Sequence, residues 1–145
     1  MELQLAYLDQ LPIKYMISFD LVSPENLIFT DKVGMIIIPG KEGDIGVLPG
    51  HSKLLTSLRP GRVMIYGESK NLLKSFFVSA GFAEVNPEQC IVLAEEVFEI
   101  SALDKSTIEK QIKELENETS DESKNRYLIA KSKIEALEST HYKKI

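Results

Sequence analysis

The chain has 145 residues, enough for one good hydrophobic core and a small appendage. Its 43% apolar and 27% charged residues are those of an ordinary globular protein. A formal net charge of −5 argues against a general nucleic-acid binder, and no run approaches the roughly eighteen apolar residues of a membrane-spanning helix.

Residues 1–15, MELQLAYLDQLPIKY, form an extension that matches nothing downstream. Leu3, Leu5, Leu8 and Leu11 suggest a helix, but Pro12 stops it early. Glu2 stands where a secretory signal needs positive charge, and no small-residue cleavage site follows. The segment reads as a poorly ordered extension, with Met16 as an alternative start.

Residues 16–100 read as short strands. In ISFDLV, apolar Ile17, Phe19 and Leu21 alternate with Ser18 and Asp20, the period of a half-buried strand. Turn signals recur at Ser23-Pro24-Glu25-Asn26, Pro39-Gly40, Pro49-Gly50, Pro60-Gly61, Gly67-Glu68-Ser69 and Asn86-Pro87-Glu88. Between them lie the β-rich runs VGMIII, RVMIY, SFFVSAGFAEV and CIVLAEEV. This spacing means a sandwich or barrel rather than alternating βαβ units.

Residues 101–145 contain neither Gly nor Pro and carry as many acids as bases. Ile108, Ile112 and Leu115 make a helical stripe; after the polar stretch Glu116 to Ser120, Tyr127, Ala130, Ile134 and Leu137 make another. Thr119 and Glu122 have capping-box spacing, and Asp121 adds negative charge at the positive helix end. His141, Lys143 and Lys144 suit the negative end of the last helix. Two helices with narrow stripes and a short link predict an antiparallel α-helical hairpin, thin and free to dock or detach.

The stretch IIIPGKEGDIGVLPGHSKLLTSLRPG, Ile36 to Gly61, holds five glycines, three prolines and the first of two histidines. It fails as a phosphate loop, because His51 rather than lysine follows Gly50. Two histidines and one cysteine cannot supply a four-ligand structural zinc site of Cys and His type, and no GxSxG elbow occurs. The chain therefore reads as no enzyme, with no catalytic residue, metal or cofactor. His51 alone reads as a turn histidine. Cys90, in an alternating strand, reads as a small core residue; a single cysteine forms no internal disulfide and suits a reducing cytosol. Lys124, Arg126, Lys131 and Lys133 form a solvated face unless an acidic partner meets them.

PGKEGDIGVLPGHSKLLTSLRPG resembles the signature segment of the F-type ATP synthase epsilon subunit, bacterial type. FFVSAGFAEVNPEQCIVLAEEV is similar to that family's second half-domain. The resemblance implies an N-terminal β-sandwich over residues 16–100 and a regulatory helical hairpin over residues 101–145. It implies a non-catalytic rotor subunit linking the gamma subunit to the membrane rotor ring, peripheral at the cytoplasmic face of the bacterial inner membrane, monomeric when isolated, with no direct lipid insertion. Asp44 and His51 would meet the ring, and Thr56 the gamma subunit. Lys124, Arg126, Lys131 and Lys133 would meet acidic residues of the catalytic subunits when the hairpin extends to hinder ATP hydrolysis. Two departures stand out. Lys53 occupies a position where relatives commonly carry proline. The family's ATP-binding pattern, [IL]-D-x-x-R-A, survives only as Leu103 and Asp104, since Thr107 replaces the arginine and Ile108 the alanine; nucleotide binding is therefore not expected. The rival reading is a free-standing ligand-binding β-sandwich with a helical dimerisation arm, which predicts a closed apolar pocket and a symmetric helix–helix interface.

Overall fold

Alternation of apolar and polar side chains sorts most of residues 17–99 into two faces. The computed structural model describes residues 16–139, so the predicted extension 1–15 and the basic last turn at His141, Lys143 and Lys144 lie outside the described residues. Among the described residues ten strands come first: β1 Ile17–Val22, β2 Leu27–Val33, β3 Met35–Gly40, β4 Gly43–Val47, β5 Leu54–Leu58, β6 Gly61–Tyr66, β7 Leu72–Val78, β8 Gly81–Val85, β9 Gln89–Ala94 and β10 Val97–Glu99. A 3-10 turn, Ile100–Ala102, leads to the helices α1, Lys105–Leu115, and α2, Asp121–Glu138.

The ladder runs β10-β7-β6-β3-β5-β8-β9-β1-β2, with β4 beside β3. It pinches between β3 and β5, where Gly40 and Leu58 form the only register pair. At that pinch the sheet folds over on itself. Ile36, Ile38, Val63, Ile65, Phe76 and Val78 from one half then share a core with Phe19, Leu21, Ala83, Val85 and Val92 from the other. The expected β-sandwich followed by a helical hairpin is the architecture found. Turn chemistry alone does not reveal that β1 pairs parallel with β9, because such a pair is joined through the whole intervening chain rather than by a local turn.

Two glycines illustrate what the punctuation does. His51 N–H donates to Leu48 O at 3.1 Å, and Gly50 has φ +85°. Pro49 followed by a positive-φ glycine is the type II turn that this pairing of residues favours. Gly81 is needed for space: a Cβ there would lie 2.0 Å from Leu93 O, so β8 could not approach β9.

Ile108 is buried, and Ile112 and Leu115 are half-buried, as the first stripe predicts. In α2 the buried residues are Ala130 and Ala136, flanked by half-buried Tyr127, Ile134 and Leu137. The predicted capping box is displaced by one residue. Ser120, not Thr119, caps α2 by accepting from Ser123 N–H at 3.1 Å. With Ser120 as the cap, Ser123 rather than Glu122 stands at the third helical position, and the Glu122 carboxylate pairs with Arg126 at 2.9 Å. Lys105 at the start of α1 pairs with Glu138 at the end of α2 at 3.0 Å, which shows the hairpin to be antiparallel. α2 packs on the outer face of the first half-sheet against β6, with small Ala136 beside Ile37 and Met64, and α1 packs on α2.

Candidate functional site

The Ile36–Gly61 stretch becomes β3, β4, a turn and β5. Asp44 lies on β4 opposite Pro39 and is exposed. Arg59 holds it: one guanidinium nitrogen donates to Asp44 Oδ1 at 2.6 Å and the other to Gly40 O at 2.5 Å. This fork ties the β3–β4 hairpin to the chain entering β6. His51 lies beyond the other end of β4, with Nδ1 2.6 Å from Ser52 O, so Nδ1 carries the proton. Gly50 N–H donates to Pro87 O at 2.8 Å and pins that loop to the β8–β9 turn. The structure does not bring Asp44 and His51 together: Asp44 to Val47 alone is about 10 Å of extended strand. Thr56, half-buried on β5 opposite Ala83, shares a shallow groove with Asp44 and donates its hydroxyl to Ser57 O at 3.2 Å. Lys53 is exposed.

Each half-sheet also has an outward face. On the first, Ile37, Met64 and Phe77 point away from the core and are nonetheless buried. On the second, the register aligns Ser57, Phe82, Leu93, Val22 and Leu27 in one row across β5, β8, β9, β1 and β2. Phe82, Leu93 and Leu27 in this row are more than half exposed, and Leu55 in the next row is 75% exposed. Soluble monomers seldom leave so continuous an apolar strip bare. The sequence signal was available. Phe82 occupies the polar phase of GFAEV, whose Ala83 and Val85 face the core.

The four basic residues of α2 have different surroundings. Lys124 is exposed beside Tyr127, Leu128 and the carboxylates Glu116 and Glu118. Arg126 is held by Glu122, and the Lys131 ammonium lies 5.3 Å from the Tyr127 ring centre. Lys133 instead turns to the sandwich, 4.0 Å from the Phe98 ring centre and 5.9 Å from that of Phe77. Desolvation there lowers its pKa, and Glu96 nearby partly opposes the shift.

Leu103 is half-buried and Asp104 is the N-cap of α1. Asp104 accepts from Thr107 Oγ1 at 2.7 Å, Ser106 Oγ at 3.1 Å and Ser106 N–H at 3.2 Å. The Thr107 hydroxyl first, and Ser106 second, hold its carboxyl below the usual carboxylate range. Thr107, which stands where the nucleotide pattern has arginine, therefore completes a helix cap. The groove between hairpin and sandwich has Arg126 and Lys133 on its walls, but also Glu96 and Glu114. Among the described residues no group of three or more His, Cys, Asp or Glu could hold a metal ion, and no helix is long and apolar enough to cross a membrane.

Residues 16–100 match the family described as "ATP synthase, Delta/Epsilon chain, beta-sandwich domain". The chain is 41% identical over 109 residues to the ATP synthase epsilon chain of Rhodospirillum centenum, covering 72% of this chain and 75% of that one. It is 38% identical over 123 residues to the epsilon chain of Rhodospirillum rubrum, covering 82% and 91%. Among solved structures, a chain of the Euglena gracilis mitochondrial ATP synthase OSCP/F1/c-ring assembly superposes with a TM-score of 0.73 at 25% identity, covering 86% of this chain and 80% of that one. A chain of the Tetrahymena thermophila mitochondrial ATP synthase central stalk and c-ring has the same fold, at a TM-score of 0.58 and 15% identity, covering 83% and 96%.

Proposed function

The chain belongs to the ATP synthase epsilon-chain family, and from that premise we propose that its sandwich docks the gamma subunit with the bare face of the second half-sheet and seats it on the rotor ring. Its role is that of a non-catalytic central-stalk subunit, accessory to the catalytic ones. The observation that carries the gamma assignment is the apolar row of Phe82, Leu93, Val22 and Leu27, with Leu55 beside it. Thr56 lies between Leu55 and Ser57 of that face along β5, with its own side chain in the opposite, core-facing phase of the strand. Asp44 and His51 serve the ring contact from the two ends of β4, so the ring reads an edge rather than a point. The subunit is peripheral at the cytoplasmic face of the bacterial inner membrane and monomeric until it meets gamma.

The hairpin, docked as seen here, is the silent state; released, it extends along the stalk and hinders hydrolysis. Lys124, Arg126 and Lys131 are then the residues for acidic surfaces of the catalytic subunits, with Lys133 joining them once α2 leaves the sheet. A dimerisation arm is less well supported, because Ile108, Ala130 and Ala136, the apolar side chains it would offer, are already buried within the chain.

Co-elution with gamma tests the docking face. Phe82→Lys with Leu93→Glu, which sets opposite charges across this register pair, should abolish co-elution in size exclusion while leaving the isolated chain folded, since exposed substitutions usually cost little. Retained co-elution would move gamma to another surface. Asp44→Lys should leave co-elution intact but lower ATP-driven proton pumping relative to hydrolysis, with a folding cost of about 1 kcal/mol or less for one exposed ion pair.

A further inference from the structure

We propose that Lys133 is the latch of the docked hairpin: its ammonium on the Phe98–Phe77 ring pair sets how readily α2 leaves the sandwich, and must be surrendered before any acidic partner can use it. Lys133 is the one basic residue of the four whose head is directed into the chain's own sheet. The two rings are paired by the strand register, Phe98 of β10 opposite Phe77 of β7, on the outward face. Phe77 is fully buried, so the hairpin is the lid of this site. The ammonium stands 4.0 Å from the centre of the Phe98 ring, within the range of a cation–π contact.

Two features make this a latch that opens and not a permanent weld. Among the described residues Lys133 forms no ion pair; the Glu96 carboxylate acts only at longer range. The ammonium is also partly desolvated, so part of the ring attraction is offset by lost hydration, which returns on undocking. A neutral apolar side chain there would hold α2 without this return. Lysine gives a docked state with a competitor, namely any carboxylate that offers the ammonium a fully hydrated or charge-paired alternative. The ring site and an acidic partner therefore exclude one another at this residue, and the two packings stay close in energy, as a switching element requires.

The switching purpose rests on the functional reading above, but the contact is testable without any other subunit. Hydrogen exchange of α2 amides is measured on the isolated full chain for Lys133→Gln, Phe98→Leu, the double variant and Lys133→Arg. Each of the first two should speed α2 exchange about three- to tenfold, the range of one partly desolvated cation–π contact. The double variant should exceed the faster single by much less than the product of the two effects, because both remove the same contact. Lys133→Arg, which also stacks on rings, should stay near the parent. Exchange in β1 and β9 is the internal control for the sandwich. Effects that multiply independently, or equal rates for Gln and Arg at position 133, overturn the latch; the second comparison stands even if Phe98→Leu disturbs β10. If the latch holds but removal of the hairpin leaves ATP hydrolysis by the assembled complex unchanged, the regulatory reading fails and the contact remains.

Discussion

Cys90 lies in β9 with its thiol buried, and desolvation pushes its pKa up to about 12. A thiol that stays protonated is a poor nucleophile. The folded chain at pH 8 should therefore resist iodoacetamide for as long as the sandwich stays closed, and labelling in a urea series should track loss of the strand signal. Fast labelling without denaturant would mean that β9 opens locally. Above the ordinary thiol range the unfolded chain loses this proton and the folded chain keeps it, so stability declines as pH rises towards 12. Asp104 acts in the opposite direction, supporting the α1 cap above the carboxylate range and losing it as pH falls below. Residue types alone give Cys90 as a core residue. They do not give the Arg59 fork on Asp44, because the partners are fifteen residues apart and meet only through the pinch between β3 and β5.

Helices show the same division between local and distant information. The stripes of α1 and α2 were legible because their period is a property of consecutive residues. The cap of α2 slipped by one because Ser120 and Thr119 are near-equivalent as N-caps, so residue type does not choose between them. Asp104 and Thr107 form a cap, and Thr107 offers no guanidinium to a phosphate, so the purified chain should not bind ATP. Arg126 is paired with Glu122, Lys133 lies against the rings, and Glu96 and Glu114 add negative charge to the groove. Calorimetric titration with and without Mg2+ should give no saturable heat up to about millimolar nucleotide, where binding is worth only about 4 kcal/mol. A micromolar isotherm would make nucleotide a regulator of the hairpin.

At the scale of the molecule the apolar faces are the hidden quantity. Sequence patterns gave the sandwich because one alternating face per strand is enough to build it. They did not distinguish two outward faces, one closed by α2 and the other bare, since that depends on which strands stand side by side. Ending the chain after Ile100 should leave the sandwich folded and able to bind gamma, because its shared core draws on no residue beyond Val97. The truncated form should self-associate at high concentration, since Ile37, Met64 and Phe77 lose their cover. In the assembled complex it should hydrolyse ATP faster if the hairpin inhibits. Loss of the strand signal on truncation would show that the hairpin belongs to the core.

The parallel pairing of β1 with β9 also orders events in time. Phe19 meets Cys90 only after some seventy intervening residues exist, so the sandwich cannot close while it is being synthesised from its first strands. Such long-range closure is slow, whereas a helical hairpin forms from neighbours within microseconds. The ribosome delivers the fast element last. By the time α2 emerges, β6, β7 and β10 of the half-sheet it covers, and β9 that closes the other half, have all left the ribosome, so the nascent hairpin is offered an assembled landing surface rather than loose hydrophobic strands to trap.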